Sequence, residues 1–268
     1  MAYGDIRRVR LTWDSRFTAA TLSSHLEEYP RLVLWNPATG EYVVGGYWRG
    51  RRDIGLLIEV SKGPNQALLV DRLVSRFQEE EFRAVVLSQD EVEGGGDWYL
   101  KHGWGLLDRL LVFQLRLSRF QLEAENDLRI SHFQPRELAA LMELDREAFP
   151  WLWWNEPADF IAYSSSRNVA IFLARVDGRL LGYASYSVKS SRGHLDRLAV
   201  HPSIGRKGCG SELLAFILKR MWESGIRDVG LTTQESNRVA QELYRRFGFS
   251  ETGEVHEILG LELLQDGN

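Results

Sequence analysis

The alternation of apolar and polar positions divides the C-terminal half of the chain into short, well-bounded elements. Leu128–Ser131 reads as a strand. From Gln134 to Phe149, Leu138, Leu141, Met142 and Ala148 recur at helical spacing, and Pro150 stops the run. An aromatic loop, Trp151-Leu152-Trp153-Trp154, leads into Pro157–Ser164, a second short helix. Val169–Val176 and Arg179–Val188 flank Asp177-Gly178, which has the turn chemistry of a hairpin. His194–Val200 is a further strand. Ser211–Ser224 places Leu214, Ile217, Leu218 and Met221 on one helix face, with Gly225 at its C-terminus. Val229–Thr232 is a strand. Ser236–Phe247 is a helix capped by Ser236 or Asn237, with Val239, Ala240, Leu243 and Phe247 turned inward, and Gly248 ends it. Ile258–Leu263 closes the sheet. This order predicts an α/β (α+β mixed) fold, a mixed sheet flanked by helices.

A faint repeat runs through the whole chain. Trp98-Tyr99-Leu100-Lys101-His102-Gly103-Trp104 matches Leu243-Tyr244-Arg245-Arg246-Phe247-Gly248-Phe249 at an offset of 145 residues. The same offset carries Gly63 onto Gly208, each followed by an amphipathic stretch. With small gaps, Leu32–Trp35, Gly40 and Tyr42–Gly45 resemble Ile171–Ala174, Asp177-Gly178 and Leu180–Tyr183. Three matches in one order predict two tandem units, 1–125 and 126–268, joined in the polar stretch Gln121–Asn126.

Composition narrows the function classes. The chain has 268 residues, enough for two domains, and a 44% hydrophobic share that can fill real cores. A net charge of −4 gives no global attraction to nucleic acid or to an anionic membrane. No apolar run approaches a membrane span, and Met1–Arg8 lacks the apolar core of a signal peptide. One cysteine, Cys209, excludes an intrachain disulfide, and no Cys/His spacing suggests a metal. The expected setting is the cytoplasm.

The chemistry concentrates in one loop. Leu198-Ala199-Val200 runs into His201-Pro202-Ser203-Ile204-Gly205-Arg206-Lys207-Gly208-Cys209-Gly210, and a helix starts directly after. Amides at a helix start lack intrahelical acceptors, and that end of the macrodipole is positive. Glycines permit close approach, and Arg206 and Lys207 add charge, so the loop suits a pyrophosphate. It is neither a Walker loop nor a dinucleotide fingerprint. Alone, it is equally compatible with a tight turn carrying two solvated cations.

Ala199-Val200-His201-Pro202 with Gly208-Cys209-Gly210-Ser211, followed by Asn237-x-x-Ala240-x-x-Leu243-Tyr244-x-x-x-Gly248-Phe249, resembles the signature of the GNAT superfamily of acetyltransferases. The resemblance covers roughly Leu128 to Leu263. It implies acetyl-CoA as cosubstrate and no metal. The backbone of Leu198, Ala199 and Val200 would pair with the pantetheine arm. Amides from Arg206 through Lys207, Gly208, Cys209 and Gly210 to Ser211 would hold the pyrophosphate, and Asn237 of the second motif would be a further cofactor-binding residue. The family's usual Gln or Arg, three residues before the first motif glycine, is Gly205 here, with Arg206 beside it. Cys209 stands where the family has an aliphatic residue and reads as packing.

Transfer to an amine also needs proton traffic. Tyr244 matches the family's proton donor to the departing thiolate, or it packs in the apolar face beside Leu243 and Phe247. The position of a carboxylate base in some members is His194, with Asp196 two residues on and on the same strand face. A histidine is able to take a proton near neutrality. The alternatives are a surface His194 and an ion-paired Asp196–Arg197 edge. This half also resembles the ribosomal-protein alanine acetyltransferases, whose glutamate base falls on Thr232 here; Glu235 is nearby. Trp151, Trp153, Trp154 and Glu156 occupy the acceptor-side loop, as a binding wall or as core.

The corresponding loop of the first half, Ser61-Lys62-Gly63-Pro64-Asn65-Gln66, lacks the second glycine and loses a donor at Pro64. The first half therefore reads as a degenerate repeat with Tyr99 as a relic or core residue. The layout is similar to tandem acetyltransferases such as mycothiol synthase, whose C-terminal half is the active one. The expected function is N-acetyl transfer from acetyl-CoA to a small-molecule amine or peptide N-terminus by direct attack in a ternary complex. The alternative is a non-catalytic CoA-binding regulatory or scaffold protein.

Overall fold

The computed structural model describes residues 6, 8–11, 15–88, 96–117, 128–204 and 208–263. The expected junction, 121–126, lies outside them, as do Gly205, Arg206 and Lys207. In chain order the elements are α1 (Ala19–Glu28), β1 (Val33–Trp35), β2 (Tyr42–Tyr47), β3 (Ile54–Val60), α2 (Gln66–Glu79), β4 (Ala84–Ser88), α3 (Asp97–Lys101) and β5 (Gly105–Arg116). There follow β6 (Arg129–His132), α4 (Leu138–Ala148), α5 (Pro157–Ser164), β7 (Val169–Val176), β8 (Arg179–Lys189), β9 (Arg192–Val200), α6 (Cys209–Glu223), β10 (Asp228–Gln234), α7 (Arg238–Arg246) and β11 (Ser250–Glu262).

The chain divides into two compact units, Met1–Arg109 with His256–Asn268, and Leu110–Val255. They are composed differently from the sequence halves, because each contains strand residues from the other half. In the first unit β1, β2 and β3 form an antiparallel meander, and β3 runs parallel to β4. The end of β11 pairs antiparallel with β4, from Ile258↔Ser88 to Glu262↔Ala84. In the second unit β6, β7, β8 and β9 form the meander, and β9 runs parallel to β10. Here β5 pairs antiparallel with β10, from Leu110↔Gln234 to Arg116↔Asp228. Meander, parallel neighbour and borrowed strand recur in the same order in both units.

Alternation along the strands of the second unit sets their two faces. Phe113, Leu231 and Leu195 are register neighbours, as are Leu115, Val229 and Gly193. Five of these six, all but Gly193, pack in one buried cluster with Leu213, Leu214, Ile217, Leu218 and Met221 of α6. Each such aliphatic side chain contributes roughly 1.5–3 kcal/mol relative to exposure. Gly182 lets α6 approach β8: a Cβ there would lie 2.7 Å from Ala199 O and 2.9 Å from Leu213 Cδ1. On the other face Leu141, Met142 and Leu144 of α4 and Phe160 of α5 cover Leu173, Tyr183 and Ala199.

One inward assignment is corrected. Val239, expected in the core, is 61% exposed, whereas Gln241 and Tyr244 are the buried residues of α7. The polar Gln241 is buried because its Nε2 donates to the carbonyls of Gln234 and Glu235, fixing the strand-to-helix turn.

Candidate active site

Two strands that start in register separate at the centre of the second unit. The parallel ladder runs from Asp228↔Arg192 to Leu231↔Leu195, although β9 continues to Val200 and β10 to Gln234. From Arg197 to Val200, β9 stays paired with β8 on its other side. Its remaining edge, which includes Leu198, Ala199 and Val200, faces the opening. An extended ligand arm adds to such an edge by main-chain hydrogen bonds.

The opening ends at the start of α6. Gly208 has φ +86°, a left-handed conformation suited to glycine, and its carbonyl accepts the Glu212 amide at 3.0 Å. By helix geometry the amides of Cys209, Gly210 and Ser211 have no intrahelical acceptor, and the positive end of the dipole lies among them. Cys209 is buried, and burial together with Glu212 pushes its thiol up to about 11. Its Sγ would meet a Cβ at Gly182 at 3.4 Å. A buried, protonated thiol packs; it is a poor nucleophile. Asn237 caps α7, its Oδ1 accepting the Ala240 amide at 3.2 Å.

Tyr244 is 6% exposed and packs between Phe113 and Phe249, with ring centroids 6.2 Å and 5.8 Å away. Burial drives its hydroxyl well above the ordinary tyrosine range, which keeps it a proton donor.

His194 and Asp196 are brought together. His194 Nδ1 lies 2.8 Å from Asp196 Oδ1. A register shift between Ser185 and Tyr186 leaves Asp196 as the extra residue between Leu195 and Arg197, so Asp196 bulges. Its carboxylate also accepts from the Ser187 hydroxyl at 2.9 Å and from the Tyr163 hydroxyl of α5. Burial, then the Asp196 charge, drives the Tyr163 hydroxyl up, so it remains the donor of that bond. With Nδ1 engaged by a carboxylate, Nε2 of His194 is the nitrogen left for a substrate. His194 lines a cleft of about 880 Å³. Its floor is the register row Gln114, Gly230, His194, Ser187 and the row beyond it, Arg116, Asp228, Arg192, Lys189.

Arg197 pairs not with Asp196 but with Asp145, a fully buried carboxylate on α4. Arg197 Nη2 donates to Asp145 Oδ1 at 2.6 Å and to Trp153 O at 2.9 Å, and its guanidinium lies 3.8 Å from the Phe149 ring centroid. The Tyr183 hydroxyl donates to Asp145, and the Asn155 amide does so at 3.3 Å. This staple fixes the aromatic loop. Trp153 is buried, Trp154 Nε1 donates to Phe149 O at 2.8 Å, Trp151 opens a 3-10 turn, and Glu156 sits at the N-cap position of α5. Among the described residues the walls of the His194 cleft come from β5, β8, β9, β10, β11 and neighbouring turns, without these four. Thr232 is exposed on β10.

Asp145, Tyr163 and Ser187 were missed in the sequence. A carboxylate one turn after Leu141 on a buried stripe was the available signal for Asp145. Tyr163 and Ser187 carry no local signal, since only the tertiary fold brings them to Asp196.

Residues 138–249 match the model of the Acetyltransferase (GNAT) family. This segment is a GNAT acetyltransferase domain. The chain is 27% identical over 124 residues to the [ribosomal protein bS18]-alanine N-acetyltransferase of Escherichia coli, covering 46% of this chain and 80% of that protein. Over the longer span, the fold resembles a GCN5-related N-acetyltransferase from Sphaerobacter thermophilus, with TM-score 0.62, 17% identity, 93% of this chain and 87% of that one. A tandem GNAT protein from the clavulanic acid biosynthesis pathway aligns with TM-score 0.56 and 13% identity over 85% of this chain and 80% of its own. Outside the GNAT domain, the first unit repeats the order of meander, helix, parallel strand and short helix.

Proposed function

We propose that the GNAT domain transfers acetyl from acetyl-CoA to a primary amine by direct attack in a ternary complex. The observation that supports it is the early end of the β9–β10 ladder, which leaves a strand edge leading to an open helix start. The edge Leu198–Val200 takes the pantetheine arm, and the amides of Cys209, Gly210 and Ser211 take the pyrophosphate. Arg206 and Lys207, which precede them in sequence, supply two positive charges.

The amine nitrogen attacks the thioester carbonyl carbon, and the C–S bond breaks. The amine's proton passes to His194 Nε2, whose imidazole is oriented by Asp196. The departing thiolate takes the Tyr244 proton. Cys209 packs α6 and forms no covalent intermediate. The Escherichia coli relative is a ribosomal-protein alanine N-acetyltransferase; a small-molecule amine or a peptide N-terminus is the acceptor class here. The first unit is a degenerate repeat without a CoA site of its own.

Thiol release from acetyl-CoA across a panel of amines tests the reading. Amine-dependent release is expected. CoA binding without release on any amine would replace it with a non-catalytic CoA-binding role.

A further inference from the structure

The cleft beside His194 has a charged end that acetyl transfer itself does not use. Lys189 and Arg192 are register partners across the β8–β9 hairpin. Like charges directly opposite in an antiparallel pair repel. The turn joining them is Ser190-Ser191, with φ +49° and +67°. Both values lie in the left-handed region, where hairpin turns favour glycine or asparagine. A strained turn therefore holds two cations face to face. Strain of this kind collects at ligand sites. Lys189, Ser190 and Arg192 all line the cleft.

Neighbouring groups leave the two cations available. Among the described residues neither Lys189 nor Arg192 is in an ion pair. Asp228, the register neighbour of Arg192, has both carboxylate oxygens 2.7 Å from Arg116 Nη1. Glu254, on β11, is the other carboxylate of the lining. The row Arg116, Asp228, Arg192, Lys189 thus carries three positive charges and one negative. Arg192 and His194 are two residues apart on one strand face, about 6.6 Å along the strand.

We propose that the acceptor is an amine bearing an anionic group, carboxylate or phosphate, bound by Lys189, Arg192 and the Ser190 hydroxyl while its nitrogen faces His194. The proposal rests on the acetyl-transfer reading for the role of His194. The spacing suits an anion about 5–8 Å from the reacting nitrogen, given the reach of both side chains.

The test uses the full chain and matched probes. Acetyl-CoA thiol release is measured with glycine, β-alanine, 4-aminobutyrate and 5-aminopentanoate, each against its amide, with phosphoethanolamine against ethanolamine, and with a diamine. The expected result is a kcat/KM at least tenfold higher for an acid than for its amide, greatest at one chain length. The phosphate pair decides which anion is preferred. Lys189→Ala and Arg192→Ala should each raise KM for the acid about tenfold and erase the preference, while Lys189→Arg should restore it. In parallel, calorimetry compares binding of an N-acetylated acid and its amide to the CoA-loaded protein. Turnover without acid preference, or preference for the diamine, overturns the anion site and leaves acetyl transfer standing. Acid-selective binding without turnover on any amine keeps the anion site and overturns acetyl transfer. Neither turnover nor acid-selective binding overturns both.

Discussion

In the first unit, Glu41 Oε1 accepts the Asn65 amide at 3.1 Å, directly before α2. The Asn65 side chain and the Thr39 hydroxyl donate to the other carboxylate oxygen. A Cβ at Gly63 would lie 1.9 Å from Glu41 Oε1. The carboxylate therefore fills the helix start that corresponds, at the 145-residue offset, to Gly208. The connecting loop spans 61–65, against 201–208 in the second unit. Counting from the register pairs Val43↔Val60 and Gly182↔Val200, the position of Glu41 is the apolar Leu180 in the second unit.

Calorimetry should give one CoA per chain. Gly208→Asp should reduce this to none, since the new carboxylate repels phosphate and the φ is strained for any Cβ. Glu41→Ala should leave it at one, because the short 61–65 loop lacks the second glycine and the Pro64 amide. A stoichiometry of two in either protein would overturn the degenerate-repeat reading.

Hydrogen bonds from Thr39 and Asn65 hold the Glu41 carboxyl below the usual carboxylate range. A depressed folded-state value stabilises above the unfolded pKa, about 4.3, and that stabilisation is lost as pH falls through the folded value. Urea unfolding of the wild type and Glu41→Gln should therefore differ most near pH 7 and converge on acidification below about 4. A gap that widens in acid would contradict the assignment.

Tyr244→Phe should lower kcat by about 10²- to 10⁴-fold, the usual scale for a general acid, with CoA affinity changed less than about threefold. Because burial raises the hydroxyl, the loss should be constant from pH 6 to pH 9. Unchanged turnover would reduce Tyr244 to packing.

His194→Gln should lower kcat on the same scale, and added imidazole should restore part of it. Asp196→Asn should act in the same direction, since it weakens the bond that orients the ring. Full activity in His194→Gln would place the base elsewhere.

Arg197→Met leaves the Asp145 carboxylate buried without its cation. Breaking such a pair costs roughly 3–5 kcal/mol. Denaturant unfolding should show a loss of this size in the second unit, together with altered tryptophan fluorescence from the loop that Arg197 anchors through Trp153 O. A change below about 1 kcal/mol would show that the staple is dispensable.

The sequence alone determined the elements from β6 to α7 to within a few residues, the glycine start of α6 and a cap at Ser236 or Asn237, because periodicity, turns and caps act over a few neighbours; it missed β5 and began the last strand at Ile258, where β11 starts at Ser250. It also placed His194 and Asp196 on one strand face. Only the tertiary structure decided what Asp196 holds, since a bulge and a tyrosine from α5 meet there through packing that no local pattern encodes. It likewise assigned Arg197 to Asp145, 52 residues away, rather than to its neighbour. The reciprocal use of β5 and β11 lay beyond sequence reading, because strand pairing depends on which edges meet. The filled helix start of the first unit was half legible. Missing glycine and a proline were visible in the loop, but the carboxylate of Glu41 reaches it only after the β2 hairpin folds back beside α2.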